Sequence, residues 1–228
     1  MTDSIEPNSN TPLREQVYAF LKAGLNDGAL KPGRFLDLNA IGKELNLSRT
    51  PLRDALIRLE VEGFIIIHPR RGVMVKPIEI TEIRDTYQII GALEASALLE
   101  VAGQLKRHDI ETMGRMNAAM QHSLAYDDFA AYYRKNVSFH DIYLAKSGNN
   151  WLLNTVHRCK ERLYDFPRRT VFLRSWEEAS VLEHQVFVDL LLEEQWQKAA
   201  DFVRDVHWSF SAQERFIKEY YFAGMNET

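Results

Sequence analysis

Three histidines, His140, His184 and His207, fall on the apolar stripes of three different predicted helices. His140 aligns with Val137, Tyr143 and Leu144, and Asn136 stands four residues before it, so the two project from one helical face. His184 aligns with Val181, Val188 and Leu191, and His207 with Ala200, Val203 and Phe210. Imidazole nitrogens and an amide oxygen can ligate a divalent ion such as zinc or nickel, so Asn136, His140, His184 and His207 form a candidate metal centre. Taken singly, each histidine is better explained as a core residue with hydrogen-bonded ring nitrogens than as a ligand. The joint pattern adds weight to metal, because one ion satisfies several buried rings together, but spacing alone leaves both readings open. Three imidazoles around an open metal position could also activate water for hydrolysis. Against that, no His-Glu-x-x-His spacing occurs, and Glu183, beside His184, is expected to point about 100° away around the helix.

The elements that would position these residues follow from periodicity. Beyond Thr81 the chain reads as six helices, roughly 81–104, 109–125, 128–146, 150–166, 176–194 and 196–222, which should pack as an antiparallel bundle. Ser147-Gly148-Asn149 supplies a stop and a new start, Pro167 interrupts, and Ser175 with Glu178 has capping-box spacing.

The first ten residues, rich in Ser, Asn and Asp, read as a mobile arm. From Thr11-Pro12 a helical period runs through Leu13, Val17, Phe20, Leu21 and Leu25 to Gly28 and the Lys31-Pro32-Gly33 turn. A short helix from Asn39 to Leu45, a tight Asn46-Leu47 connection and a third helix from about Arg49 to Glu62 follow, with Ser48 or Thr50 as cap and Pro51 in the first turn. Phe64 to Ile67, a turn at His68 to Gly72, and Val73-Met74-Val75 read as a hairpin. Three helices and a two-stranded wing make a winged helix-turn-helix over residues 11–77, with Lys76-Pro77 marking its end and a helical domain over 80–222.

Charge agrees with that division. The net charge is −4, yet residues 1–77 carry eleven Lys and Arg against nine Asp and Glu, whereas 78–228 carry seventeen against twenty-three. Phosphate attraction depends on the local patch, so a basic-leaning head on an acidic body fits DNA contact at one end. Arg49 and Arg53, at i and i+4, share the face of the third helix opposite Leu52, Ala55, Leu56 and Leu59, and can reach guanine edges in the major groove. Ser48 and Thr50 suit phosphate or sugar, and Arg70, Arg71 and Gly72 form a wing tip able to reach the minor groove or the backbone. A hydrophobic content of 46%, with four Trp, nine Tyr and twelve Phe, is ample for a core. The single cysteine, Cys159, excludes an intramolecular disulfide framework. With no secretory leader or apolar run of about 18 residues, the expectation is a reduced cytoplasmic protein without a membrane span.

The run from Leu38 to Leu56, with its Ser48-Arg49-Thr50-Pro51-Leu52-Arg53-Asp54-Ala55-Leu56 core, followed by Leu59-Glu60 and Gly63-Phe64, closely resembles the GntR family of bacterial transcription regulators. The resemblance implies that Arg49, Thr50 and Arg53 contact operator DNA, assisted by the wing around Arg70 to Gly72. Asn39 departs from the arginine some members carry there. Residues 80–222 resemble the FCD effector domain, an all-helical bundle often carrying a metal, whose pattern of Asp or Asn before Phe-His, a Glu-His pair and a final-helix histidine is matched by Asn136 with Phe139-His140, Glu183-His184 and His207.

Two departures bear on chemistry. Asn136 replaces a commoner aspartate and contributes no charge, so an ion there would keep its full charge and favour an anionic effector. Ile90 stands where many relatives place a pocket-facing arginine, leaving Arg158 or Arg162 as candidate counter-charges for a carboxylate. The resemblance implies a homodimeric, ligand-responsive regulator whose effector is a small organic acid. The alternatives are a metal hydrolase and a metal-free bundle serving only dimerisation.

Overall fold

The computed structural model describes residues 11–46, 48–164 and 173–222, without the side chains of Arg49 and Tyr164. The expected arm at 1–10, Leu47 of the tight connection and Pro167 lie outside the described residues. The chain divides into two compact units that part after Ile78.

In the first unit, α1 (Leu13–Asn26), α2 (Leu38–Glu44) and α3 (Arg49–Val61) precede a hairpin of β1 (Ile65–His68) and β2 (Gly72–Val75). Val17, Leu21 and Leu25 of α1 and Leu52, Ala55, Leu56 and Leu59 of α3 are buried, as their three- and four-residue spacing requires. Arg58 ties the two helices together by bonding Glu15 of α1 at 2.8 Å and lying 3.7 Å over the Tyr18 ring. Asp37 caps α2 by accepting from Asn39 and Ala40 N–H. Ser48 occupies the N-cap of α3 as expected, but its side chain makes no capping hydrogen bond.

The hairpin is antiparallel, with Ile65 opposite Val75 and His68 opposite Gly72. The segment before α2 extends it along the outer edge of β2, through Gly33 N–H to the Val75 carbonyl and Leu36 N–H to the Val73 carbonyl. The wing turn needs Arg70 at φ +62° and Gly72 at φ +109°, the latter favouring a residue without Cβ.

The second unit is an all-helical bundle: α4 (Ile80–Val101), α5 (Arg107–Ala125), α6 (Phe129–Lys146), α7 (Asn150–Tyr164), α8 (Arg174–Leu192), α9 (Trp196–Phe202) and α10 (Phe210–Phe222). Met113, Met120, Phe139, Tyr143 and Leu191 are fully enclosed in its core. Two expectations change. Ser175 and Glu178 do not form a capping box: α8 starts at Arg174 behind Leu173, and Glu178 instead pairs with Arg174 at 2.9 Å. The long helix expected over 196–222 is broken, because α9 runs into a π-helical turn, Val203–His207, closed by Trp208 N–H on the Val203 carbonyl, and α10 begins only at Phe210. The turn adds one residue per hydrogen-bonded loop and sets His207 and Trp208 at the bundle interior together. Phe210, expected to continue the stripe of His207, therefore belongs to a separate helix.

Candidate metal centre and DNA-reading face

His140 on α6, His184 on α8 and His207 in the π turn converge, each offering a ring nitrogen within 4.8 Å of the others. His140 and His184 are 1% exposed, and their Nε2 atoms face each other at 3.3 Å. Nitrogens about 2.0–2.1 Å from a tetrahedral zinc lie ~3.4 Å apart, so this separation suits two ligands of one ion.

Carboxylates orient two of the rings. Glu94 on α4, wholly buried, takes His140 Nδ1 at 2.8 Å on its Oε2. The same oxygen accepts from the Tyr143 hydroxyl at 2.5 Å and Trp208 Nε1 at 3.0 Å. Glu183 Oε2 takes His207 Nδ1 at 2.7 Å, and its Oε1 accepts from Gln213 at 2.8 Å. An imidazole that donates Nδ1–H to a carboxylate presents its Nε2 lone pair on the opposite side, the arrangement that holds metal-binding histidines. Burial, ahead of the opposing pull of Glu94, lowers His140 to about 4. His184 is also lowered well below its ordinary value, first by burial and then by the other two rings, so both are neutral and able to ligate near pH 7.

Asn136 lies one turn before His140 on α6, buried, and its Oδ1 has no hydrogen-bond partner; nor has Nδ1 of His184. An enclosed amide oxygen without a donor is costly, and a cation beside it removes the cost. The donor set of three imidazoles and an amide oxygen thus fits a borderline divalent ion.

The two arginines named as candidate counter-charges are engaged within the fold. Arg158 is exposed and turns its Nε to the Asn154 carbonyl at 3.3 Å. Arg162 is engaged by Glu82, at 2.8 Å from Nε and 3.3 Å from Nη2. The cation beside the histidines is Lys160, 2% exposed, with Nζ 2.6 Å from Glu94 Oε1. Lys160, Glu94 and the role of Glu183 were missed in the sequence. Their signal was the one that singled out the histidines: Glu94 lies on the stripe of Tyr87, Ile90, Leu98 and Val101, and Lys160 on that of Val156 and Leu163.

At the other end of the chain, Ser48, Thr50 and Arg53 are exposed on α3, opposite its buried face. Arg49 opens the helix, but its side chain lies outside the described atoms. Arg70, Arg71 and Gly72 are exposed at the wing tip.

Residues 85–206 match the FCD domain, and residues 13–75 match the bacterial regulatory proteins of the gntR family. The HTH-type transcriptional repressor RspR of Escherichia coli (strain K12) is 30% identical over 105 residues, 46% of this chain and 46% of that protein, so the match spans about half of the relative's length. The HTH-type transcriptional regulator YdhC of Bacillus subtilis (strain 168) is 22% identical over 163 residues, 71% of this chain and 73% of its own. A putative GntR transcriptional regulator from Rhodococcus sp. RHA1 shares the fold, with a TM-score of 0.69 at 17% identity over 92% of this chain and 100% of that one. These families and relatives are transcription regulators rather than enzymes, which removes the ground for the hydrolase alternative. The chain belongs to the GntR family of DNA-binding transcription regulators, in the branch that carries an FCD effector domain.

Proposed function

We propose that the helical domain, residues 80–222, binds zinc or nickel through Asn136, His140, His184 and His207, and that a small organic acid docks beside the ion to change operator affinity. The observation that carries the reading is the convergence of three imidazoles, two of them oriented by the buried or part-buried carboxylates Glu94 and Glu183. The bound ion would supply positive charge that the neutral ligand set does not cancel, which favours an anionic effector. Glu94 and Glu183 keep the His140 and His207 rings in place for it.

The winged domain, residues 11–77, reads operator DNA. Arg49 and Arg53 address base edges in the major groove, Ser48 and Thr50 the backbone, and Arg70 and Arg71 beside Gly72 the flanking groove. A homodimer follows from the pairing of half-sites by helix-turn-helix heads, and a cytoplasmic location from the lone, half-buried Cys159. Among the described residues no helix is long and apolar enough to cross a membrane.

To change operator affinity, the acid must bind one arrangement of the regulator better than another. The test is elemental analysis of untagged protein, followed by operator binding of the zinc-loaded chain with and without a panel of organic acids. About one equivalent of divalent metal and an acid-dependent shift in operator affinity are expected. Absence of metal, with no thermal shift on adding zinc or nickel, leaves a bundle serving dimerisation alone. For the DNA face, Arg49→Ala with Arg53→Ala should abolish operator discrimination, each bidentate contact contributing about 1–3 kcal/mol; unchanged sequence-specific binding overturns that assignment.

A further inference from the structure

Lys160 is a buried ammonium beside the histidine cluster. Its Nζ lies 2.6 Å from Glu94 Oε1 and 5.2 Å from the centroid of the Trp208 ring. An ammonium has three donors. Glu94 is the partner of one, and Nζ has no other hydrogen-bond partner among the described residues. Nor does Glu94 depend on Lys160 for its other oxygen, since Oε2 already accepts from His140, Tyr143 and Trp208. A buried ion pair is weak evidence for stability, because an apolar pair of similar volume often serves as well or better. Enclosed donors without acceptors carry a further cost. Both costs are met if the spare N–H groups of Lys160 face a ligand.

Charge narrows the ligand. A divalent ion contributes two positive charges and Lys160 one, Glu94 and Glu183 contribute one negative charge each, and an imidazole that ligates an ion through its lone pair adds none. One positive charge is left over. A ligand with one negative charge brings this enclosed centre to neutrality, and a dianion overshoots, leaving a net charge out of water.

We infer that Lys160 anchors the carboxylate of the effector, and that the effector is a monocarboxylate rather than a dicarboxylate. The inference rests on the metal-and-acid reading above and assigns its specificity to a side chain on α7.

The experiment uses the full chain loaded with zinc, with butyrate and succinate as probes of matched chain length. Acid binding is measured by calorimetry, and zinc affinity separately by competition with a chromophoric chelator. Wild type should bind butyrate more tightly than succinate. Lys160→Met should weaken butyrate about ten- to a hundredfold, the loss of one charge-assisted hydrogen bond, while retaining zinc. Lys160→Arg should restore binding. Should Lys160→Met fail to fold because Glu94 is left unpaired, Lys160→Gln, whose neutral amide can still donate to Glu94 Oε1, leaves the His140 carboxylate in place and should show the same loss with zinc retained. Zinc and butyrate binding unchanged in the folded Lys160 variants, or tighter binding of succinate to wild type, overturns the inference and leaves the metal-and-acid reading intact. A wild type that takes up no zinc, or binds neither acid when zinc-loaded, overturns both.

Discussion

Two carboxylates on different helices do equivalent work on two of the histidines, and their environments differ enough to separate their effects. Glu94 is enclosed and paired with Lys160, so replacing it disturbs a network; Glu183 is part-buried and touches His207 and Gln213. Glu183→Gln should therefore leave the fold intact and weaken zinc about 10- to 100-fold, the usual effect of losing a carboxylate behind a ligating imidazole, as read by chelator competition. Glu177 offers a pH test. Burial raises its carboxyl to about 7, and the neighbouring Tyr132 hydroxyl offsets only part of the rise. A carboxyl raised in the folded state holds its proton more firmly there than in the unfolded chain, so its contribution is fully present below the ordinary value of 4.5 and is lost as pH rises through about 7. Glu177→Gln keeps the neutral form at every pH. Its melting temperature should gain on wild type between pH 4.5 and 8, by about 1 kcal/mol after allowing for the part of the side chain that meets solvent, or roughly 2–4 °C. A difference that does not change with pH would show that Glu177 ionises without cost. The histidines were legible because imidazoles on apolar stripes are conspicuous. Which carboxylate meets which ring was not, because Glu94 meets His140 across 46 positions and Glu183 meets His207 across 24, separations that local spacing does not encode.

Helix periodicity placed most elements within a few residues, since buried faces at 3.6-residue spacing dominate α4 to α8. It missed the break after α9. A π turn keeps the same residue types and nearly the same axis, so a period search runs straight through it. What marks the site is a glycine on the facing helix. A Cβ on Gly91 of α4 would stand 3.1 Å from Trp208 Cβ and 3.3 Å from the Arg204 carbonyl oxygen. The second contact is with backbone, which gives way less easily than a side-chain tip. Gly91→Ala gains about 1 kcal/mol in helix propensity but incurs an overpacking cost of about 1–3 kcal/mol, so the net effect should be a modest loss of stability in chemical denaturation. The same displacement moves the turn that carries His207 and Trp208. Zinc affinity should fall with it, whereas Gly103→Ala, on a glycine with nothing within 4 Å of the added methyl, should leave zinc affinity unchanged. Equal zinc affinity in Gly91→Ala and wild type would mean that the turn yields without moving its ligands.

All four proposed metal ligands belong to the unit beginning at Glu79, and the proposed DNA contacts to the unit ending at Ile78. In the sequence the texture changes at Lys76-Pro77, where a hairpin pattern gives way to a succession of helical ones. The division has a thermodynamic consequence. A ligand that binds only folded protein stabilises the part whose unfolding destroys its site, by about 4 kcal/mol at a thousandfold excess over Kd. For zinc that part is the helical unit, where losing any of α6, α8 or the π turn disperses the ligands. Scanning calorimetry of metal-stripped protein should resolve two transitions, and saturating zinc should raise one of them by roughly 10 °C while leaving the other in place. Arg53→Ala, exposed on α3, should move neither by more than about 1 °C, as expected of a surface change away from buried contacts. His184→Ala should abolish the zinc-dependent shift, because it removes a ligand from the centre of the cluster. If zinc instead raised both transitions together, the winged unit would unfold only with the bundle, and metal occupancy would reach the DNA-reading helix through shared stability rather than through an acid-dependent rearrangement.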